Sequence, residues 1–375
     1  MSSSTTVIGD RRRQALDRAA ALRRHPSRRM ASKPAAPPTV AFYAIAVVVA
    51  VFVMLGLVMV LSASSINQFH QGQSPFRIFN KQVMWAALGL IGLWIGMRVP
   101  YHFWRRLVLP ALIVSYGMML LPFIPGVGDR VNDANAWIAI GPLSLQPSEF
   151  LKLSVLLYCA NLLAKRRDEM ANPQRTLVPV MLVAIVGSGL CLIQSDLGSA
   201  IVLASIVFVV AFIAGAPLRP MAAAAGMGAV GALAFVVSSP RRQERFTAFL
   251  DIAAHKDHLS YQTYQAMIAL AQGGLAGEGV GQGKNKLGDF LPLAHSDFIF
   301  AVVAEELGMI GVIAVLGGFL ILAYAGVQVA LATQDRFASL LASGIVIWFV
   351  VQTIINRKSF SSRSNGIDIC KSGRT

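Results

Sequence analysis

Apolar runs recur along this chain at about 40–61, 83–98, 107–123, 150–164, 177–193, 199–214, 220–237, 298–326 and 337–356, several of them short, with polar connections between them. Each approaches the roughly 20 residues that a helix needs to cross a bilayer. The pattern predicts an all-α polytopic membrane bundle of about nine spans. One connection is unlike the others: residues 238–297, between the seventh and eighth runs, are polar and rich in glycine. A stretch of that length inside a compact protein is usually functional.

Composition sharpens this picture. Of 375 residues, 55% are hydrophobic and 14% charged, with a mean hydropathy of +0.61, which excludes an ordinary soluble or a disordered chain. Residues 40–356 therefore read as one membrane domain. The net charge of +15 lies mostly in the ends: residues 1–40 contribute +7 and residues 357–375 contribute +4. A basic, disordered tail over residues 1–39, just before a first span, reads as a cytoplasmic anchor near anionic lipid, and no nucleic-acid partner is expected. Cys159, Cys191 and Cys370 lack CxxC spacing, so neither a zinc site nor a disulfide framework is indicated. The first apolar run begins near Val40 and is too long for a signal-peptide core, so it reads as a retained span.

Lys and Arg set the orientation. The basic tail, Arg98/Arg105/Arg106, Lys165/Arg166/Arg167/Arg175, Arg219 and Arg336 fall on alternate connections, while the other set carries little beyond Arg77, Lys81 and Arg130. By the positive-inside rule the N-terminus is cytoplasmic, and segments 124–149 and 238–297 face outward.

Ionisable groups inside apolar runs are costly, and each is a site hypothesis by default. In Gln146-Pro147-Ser148-Glu149-Phe150-Leu151-Lys152, Pro147 and Ser148 look like a helix start, with Glu149 and Lys152 three apart on one face; a local ion pair and a cap would also explain them. In Gln194-Ser195-Asp196-Leu197-Gly198, Asp196 is placed to cap the next helix. The long outer segment carries Tyr261-Gln262-Thr263-Tyr264-Gln265 and the run from Gly273 to Lys284. That run is not a nucleotide loop, since Lys284 is followed by Asn285 and no strand precedes the glycines; the glycines let backbone approach a ligand, make tight turns or form a mobile lid. His295-Ser296-Asp297-Phe298 leads into a span with adjacent acids Glu305 and Glu306, roughly 12–14 Å deeper than Asp297 if the helix is continuous.

The order and spacing of these pieces, with Gly273-Gly274, Gly277, Gly279, Leu291-Pro292, His295-Ser296-Asp297-Phe298-Ile299-Phe300 and Glu305-Glu306-Leu307-Gly308, resemble the SEDS family (shape, elongation, division and sporulation). The resemblance covers about residues 40–356. It implies a ten-span peptidoglycan glycosyltransferase that polymerises lipid II at the outer face of the bacterial cytoplasmic membrane, with a class B penicillin-binding transpeptidase and other divisome membrane proteins as partners. It implies that Asp297 matches the family's essential acid, and that Lys152 and the Gln262/Gln265 segment match walls of its substrate cavity. The long N-terminal tail favours division, at the septum, over elongation.

Two departures stand out. Where the family has an Arg before the Trp of the outer loop, this chain has Ala136-Trp137, which removes an anion contact there. After Gln352-Thr353-Ile354-Ile355-Asn356 the chain turns basic and Ser-rich instead of entering a tenth span, so residues 357–375 read as a frameshifted or truncated end and one wall of the cavity is expected to be missing.

The implied chemistry needs a base at the acceptor hydroxyl and cations at the leaving pyrophosphate. With inversion, one carboxylate suffices as base, and Asp297 is the candidate. Lys152, Lys284, Lys286 and Arg245 are the candidate cations, and Glu149, Gln146, Gln262, Gln265, His295 and Ser296 the remaining candidate substrate contacts. Asp196, Glu305 and Glu306 are assigned structural or relay roles. No cofactor is demanded; a divalent Mg or Mn ion is compatible, although no acid cluster specifies one. Two rivals stand beside the enzyme. A lipid II flippase would use Lys152, Asp196, Glu305 and Glu306 as a path through the bundle, and a non-catalytic scaffold would hold the transpeptidase.

Overall fold

The computed structural model describes residues 39–70, 72–131, 134–140, 143–170, 172–240, 242–244, 247, 261–284 and 298–359. Its contacts divide it after Tyr43, and every contact described below lies within residues 44–375.

Each apolar run of the sequence becomes one long helix. These are α1 (Val40–His70), α2 (Arg77–Arg98), α3 (Tyr101–Leu120, continued by the 3-10 turn Leu121–Phe123), α4 (Pro147–Lys165), α5 (Pro173–Ile193), α6 (Leu197–Ala214) and α7 (Leu218–Val237). After a shorter α8 (Tyr261–Gln272) come α9 (Ile299–Ala332) and α10 (Arg336–Ser359). The protein is a multi-pass helical membrane protein. Among the described residues, eight of the nine long helices are long and apolar enough to cross a bilayer on their own, and α4 is not. Its place explains why. More than half of its 19 residues are buried, and it packs against α3, α5, α6 and α10, so its surroundings are protein instead of lipid and it can carry Glu149 and Lys152. By contrast α2 buries no residue and α7 only Met221, which fits helices that face lipid.

Local chemistry sets the helix ends. Asn172 caps α5 by accepting from the Gln174 N–H, with Pro173 behind it as first helical residue, and Asp196 caps α6 through the Ser199 N–H. α6 ends at Gly215 in the left-handed region, φ 90°, with the Ala216 N–H returning to the Ala211 carbonyl.

The main hydrophobic cluster gathers Leu151, Val155, Leu156 and Leu163 of α4 with Val180 of α5, Leu203, Ile206 and Val207 of α6, Leu112 and Met119 of α3, and Phe337 and Leu340 of α10. A second cluster joins Met59 and Ala63 of α1, Ala266 and Ala269 of α8, and Phe298, Ala301, Val302 and Val303 at the start of α9.

One element departs from the expectation of helices alone. Segment 124–149 contains an antiparallel sheet of β1 (Gly128–Val131), β2 (Ala134–Ile140) and β3 (Leu143–Leu145), in the order β1-β2-β3, with Asp129 opposite Trp137 and Ala139 opposite Ser144. Alternation explains β2: Ala136 and Ile138 are buried, while Trp137 between them is half-buried and Ala139 after them is exposed. The long outer segment is also less irregular than its composition indicates, since residues 261–272 form the helix α8, which buries Ala266 and Ala269.

Contacts between distant residues sort the helix ends into two groups. Arg105 donates to Asn161, Tyr101 and Arg105 lie against Phe337, and Arg336 donates to the Ala214 carbonyl, which brings the Arg-rich connections together. At the opposite ends, Gln194 donates to the Met119 carbonyl and Gln146 reaches Asp196.

Candidate functional site

The first turn of α4 is the centre of the site. Pro147 fixes the helix start, and Glu149 in the first turn is favoured by the unpaired N–H groups there. One turn on, Lys152 is 2% exposed, and its Nζ lies 2.7 Å from Glu149 Oε1 and 3.2 Å from Gln352 Oε1 of α10. Gln352 Oε1 also accepts from Trp348 Nε1 at 2.5 Å, and the Lys152 ammonium stands 5.5 Å from the centre of the Trp348 ring. A charge this deep needs such partners. Beside them opens a cleft of about 440 Å³ lined by Glu149, Phe319, Trp348, Phe349, Gln352 and Thr353. Its wall is apolar and aromatic except at Glu149, Gln352 and Thr353; Lys152 sits behind that polar edge.

Asp196 supports this turn from α6. One carboxylate oxygen accepts from Ser199 N at 2.9 Å and the other from Gln146 Nε2 at 2.8 Å, and Ser148 Oγ lies 3.2 Å from Ser199 Oγ. The expected cap is therefore present and also holds the residue before α4.

Glu305 and Glu306 form a separate arrangement. Both are buried, at 0% and 1% exposure. Glu305 Oε1 accepts from the Lys284 backbone N–H at 2.6 Å, and Glu306 Oε1 from Ser62 Oγ of α1 at 2.6 Å. α9 is interrupted beside them at Gly308.

The structure thus unites Gln146, Glu149, Lys152 and Asp196, and places Glu305 and Glu306 elsewhere. The Lys284 side chain is exposed, Gln265 is half-buried on α8, and Gln262 occupies the same helix. Arg245, Lys286, His295, Ser296 and Asp297 lie outside the described residues. No group of three or more His, Cys, Asp or Glu is arranged to hold a metal among the described residues. Sequence reasoning did not assign Trp348, Gln352 or Ser62 to a site. The first two could have been found as an i,i+4 pair on one helix face, and Ser62 as a hydroxyl inside an apolar run.

Residues 43–361 match the family model described as "Cell cycle protein", that of FtsW, RodA and SpoVE. The chain is 37% identical over 319 residues to the probable peptidoglycan glycosyltransferase FtsW of Mycobacterium tuberculosis, covering 85% of this chain and 61% of that one. It thus spans about three fifths of the mycobacterial relative's length. To the protein of the same name from Trichlorobacter lovleyi it is 38% identical, over 80% of this chain and 79% of the other. Among solved structures, a chain from work on "structural coordination of polymerization and crosslinking by a peptidoglycan synthase complex" aligns with a TM-score of 0.67 at 27% identity, covering 85% and 86% of the two chains.

Proposed function

The chain belongs to the FtsW/RodA/SpoVE family of cell cycle proteins, and from that premise we propose that it is a peptidoglycan glycosyltransferase that polymerises lipid II during division. The names of its relatives support the reaction class. The observation that carries the reading in this chain is the buried Lys152 ammonium, held by Glu149 and Gln352 at the polar edge of an aromatic cleft. A lipid-linked pyrophosphate donor has a long apolar chain and a dianionic head; this cleft offers an apolar wall, and the Lys152 ammonium meets the head when its pair with Glu149, at the cleft's edge, opens.

In this reading Asp297 is the general base that takes the proton of the acceptor hydroxyl as it attacks the anomeric carbon. The bond to the pyrophosphate breaks in the same step, and the departing charge is met by Lys152 and Lys284, with Lys286 and Arg245 as further cations. Gln146, Glu149, Gln262, Gln265, His295 and Ser296 contact the sugar and pyrophosphate. The Arg-rich helix ends face the cytoplasm and the Lys152 end faces outward, as the positive-inside rule requires. A class B penicillin-binding transpeptidase acts alongside, at the septum. Transport is the weaker reading, because Lys152 and Asp196 stand in one group while Glu305 and Glu306 pair with α1 and the glycine-rich segment, which gives no continuous polar path among the described residues.

Glycan formation from labelled lipid II tests this, using the purified protein with its transpeptidase, with and without Mg or Mn. Polymer from the native chain and none from Asp297→Asn is the expected result. Lipid movement without polymer would replace the enzyme by a flippase, and transpeptidase binding without either would leave a scaffold.

A further inference from the structure

The break in α9 is the least expected feature of the fold. Gly308 adopts φ 65° and ψ −160°, a conformation open essentially only to glycine, and it splits the helix into a short half, residues 299–307, and a longer half from Met309. Such an interruption removes helical partners from backbone groups on both sides, and in a membrane protein each must be satisfied by protein.

Residues Gly273–Lys284 supply those partners. Glu278 and Gly279 donate their N–H groups to the carbonyls of Glu305 and Glu306, before the break, at 2.9 and 3.0 Å. Gly274 and Leu275 accept from the N–H groups of Met309 and Ile310, after it, at 3.0 and 3.3 Å. The strap lies close enough that a β-carbon at Gly273 would run into the Ala304 carbonyl, one at Gly277 into the Glu306 carbonyl, and one at Gly308 into the Gly277 nitrogen. The end of the strap is held by a side chain: Glu305 accepts the Lys284 N–H at 2.6 Å, and a β-carbon on Gly283 would sit 3.0 Å from the Glu305 carboxyl carbon.

The first half of α9 belongs to the cluster of Met59, Ala63, Ala266 and Ala269; the second continues beside it, with Val315 on that cluster and Phe319 on Phe52 of α1, and goes on to α10, where Gly326 meets Val346 and Ser339 bonds the Ala330 carbonyl. With its own hydrogen bonds interrupted at Gly308, the helix can hinge there unless something bridges it.

We propose that residues 273–284 are a backbone splint across this hinge, and that Glu305 is a positioning residue, the latch that holds the splint closed and fixes the 299–307 half-helix. Gly273 and Gly277 are then explained by backbone meeting backbone, and Gly274, Gly279 and Gly281 by turns of positive φ. The effect on catalysis rests on the glycosyltransferase reading; the splint itself does not.

The test is amide hydrogen exchange on the full-length protein in lipid nanodiscs, with glycan formation measured on the same samples. In the native protein the amides of Glu278, Gly279, Met309 and Ile310 should exchange at least 100-fold more slowly than exposed amides, and fast exchange there overturns the splint. Glu305→Ala should raise exchange at Glu278, Gly279 and Lys284 tenfold or more and lower kcat about tenfold with KM changed less than threefold. Glu305→Gln, which keeps an acceptor, should restore both readouts to within threefold of native. Native exchange in Glu305→Ala, or equal damage in both variants, overturns the latch. Should Glu305→Ala fail to fold, the native measurement still decides the splint, and Lys284→Pro, which removes the N–H that Glu305 accepts, decides the latch: exchange at Glu278 and Gly279 should rise tenfold or more, and native exchange there overturns it. A native protein with protected amides but no polymer would overturn the enzyme reading alone.

Discussion

Lys152 is the residue on which the site turns, because its ammonium is buried yet answers to three groups at once: Glu149, Gln352 and the Trp348 ring. Lys152→Met keeps most of the side-chain volume and deletes the charge. Glu149 is 38% exposed, so water offsets part of the loss there, and the expected destabilisation is about 1–3 kcal/mol. A denaturation midpoint in detergent reads it, and polymer formation should fall at least tenfold; an unchanged midpoint with full activity would make the cluster a bystander. Lys152→Arg should not rescue, because a planar fork cannot aim one cationic centre at both oxygens from the same stem. Trp348→Phe keeps an aromatic face but removes the N–H donated to Gln352 and one ring of the indole that packs on the main cluster, so its cost should be about 1–3 kcal/mol.

At the scale of elements, caps and close approaches decide which changes matter. Asp196→Ala removes the cap of α6 together with the bond from Gln146, and thermal denaturation should show a loss of about 1–2 kcal/mol, whereas Asp196→Asn, a good cap, should retain most of it. Gly344 and Gly92 make a sharper pair. A β-carbon on Gly344 would strike Leu156 and come within 3.0 Å of Val210, so Gly344→Ala overpacks the interface of α10 with α4 and α6 and should cost about 1–3 kcal/mol. Gly92 on α2 has open space around it, and Gly92→Ala should be neutral or slightly stabilising in the same assay. These elements were legible in the sequence to unequal degrees. Apolar runs revealed the nine long helices of the described residues, because lipid imposes one strong demand on eight of them and the buried core a similar one on α4. α4 showed itself as a helix but not as the central one, since being enclosed by other helices leaves no periodic signature. The sheet was missed because short alternation such as Ala136-Trp137-Ile138 is easily lost among apolar runs, and the break at Gly308 because its backbone partners lie some thirty residues away at Gly274 and Leu275.

At the scale of the whole molecule, charge placement and folded contacts bear on one question, which end faces out. The contacts of Arg105, Arg336 and Phe337 gather basic connections at one set of helix ends, and Gln146, Asp196 and Gln194 mark the other. Positive loops stay on the cytoplasmic side during insertion, so the cleft beside Glu149 should open outward. Cysteine labelling tests this in intact cells with a membrane-impermeant maleimide. The background is Cys370→Ser; Cys159 and Cys191 are buried and should stay silent. Ile124→Cys, on the connection after α3, should label directly, while Gln174→Cys, beside Arg175 at the start of α5, should label only after permeabilisation. The reverse pattern would put the cleft on the cytoplasmic side. An outward-acting polymerase would then be excluded whatever the residues of the cleft, because its lipid-linked substrate would meet them in the wrong leaflet.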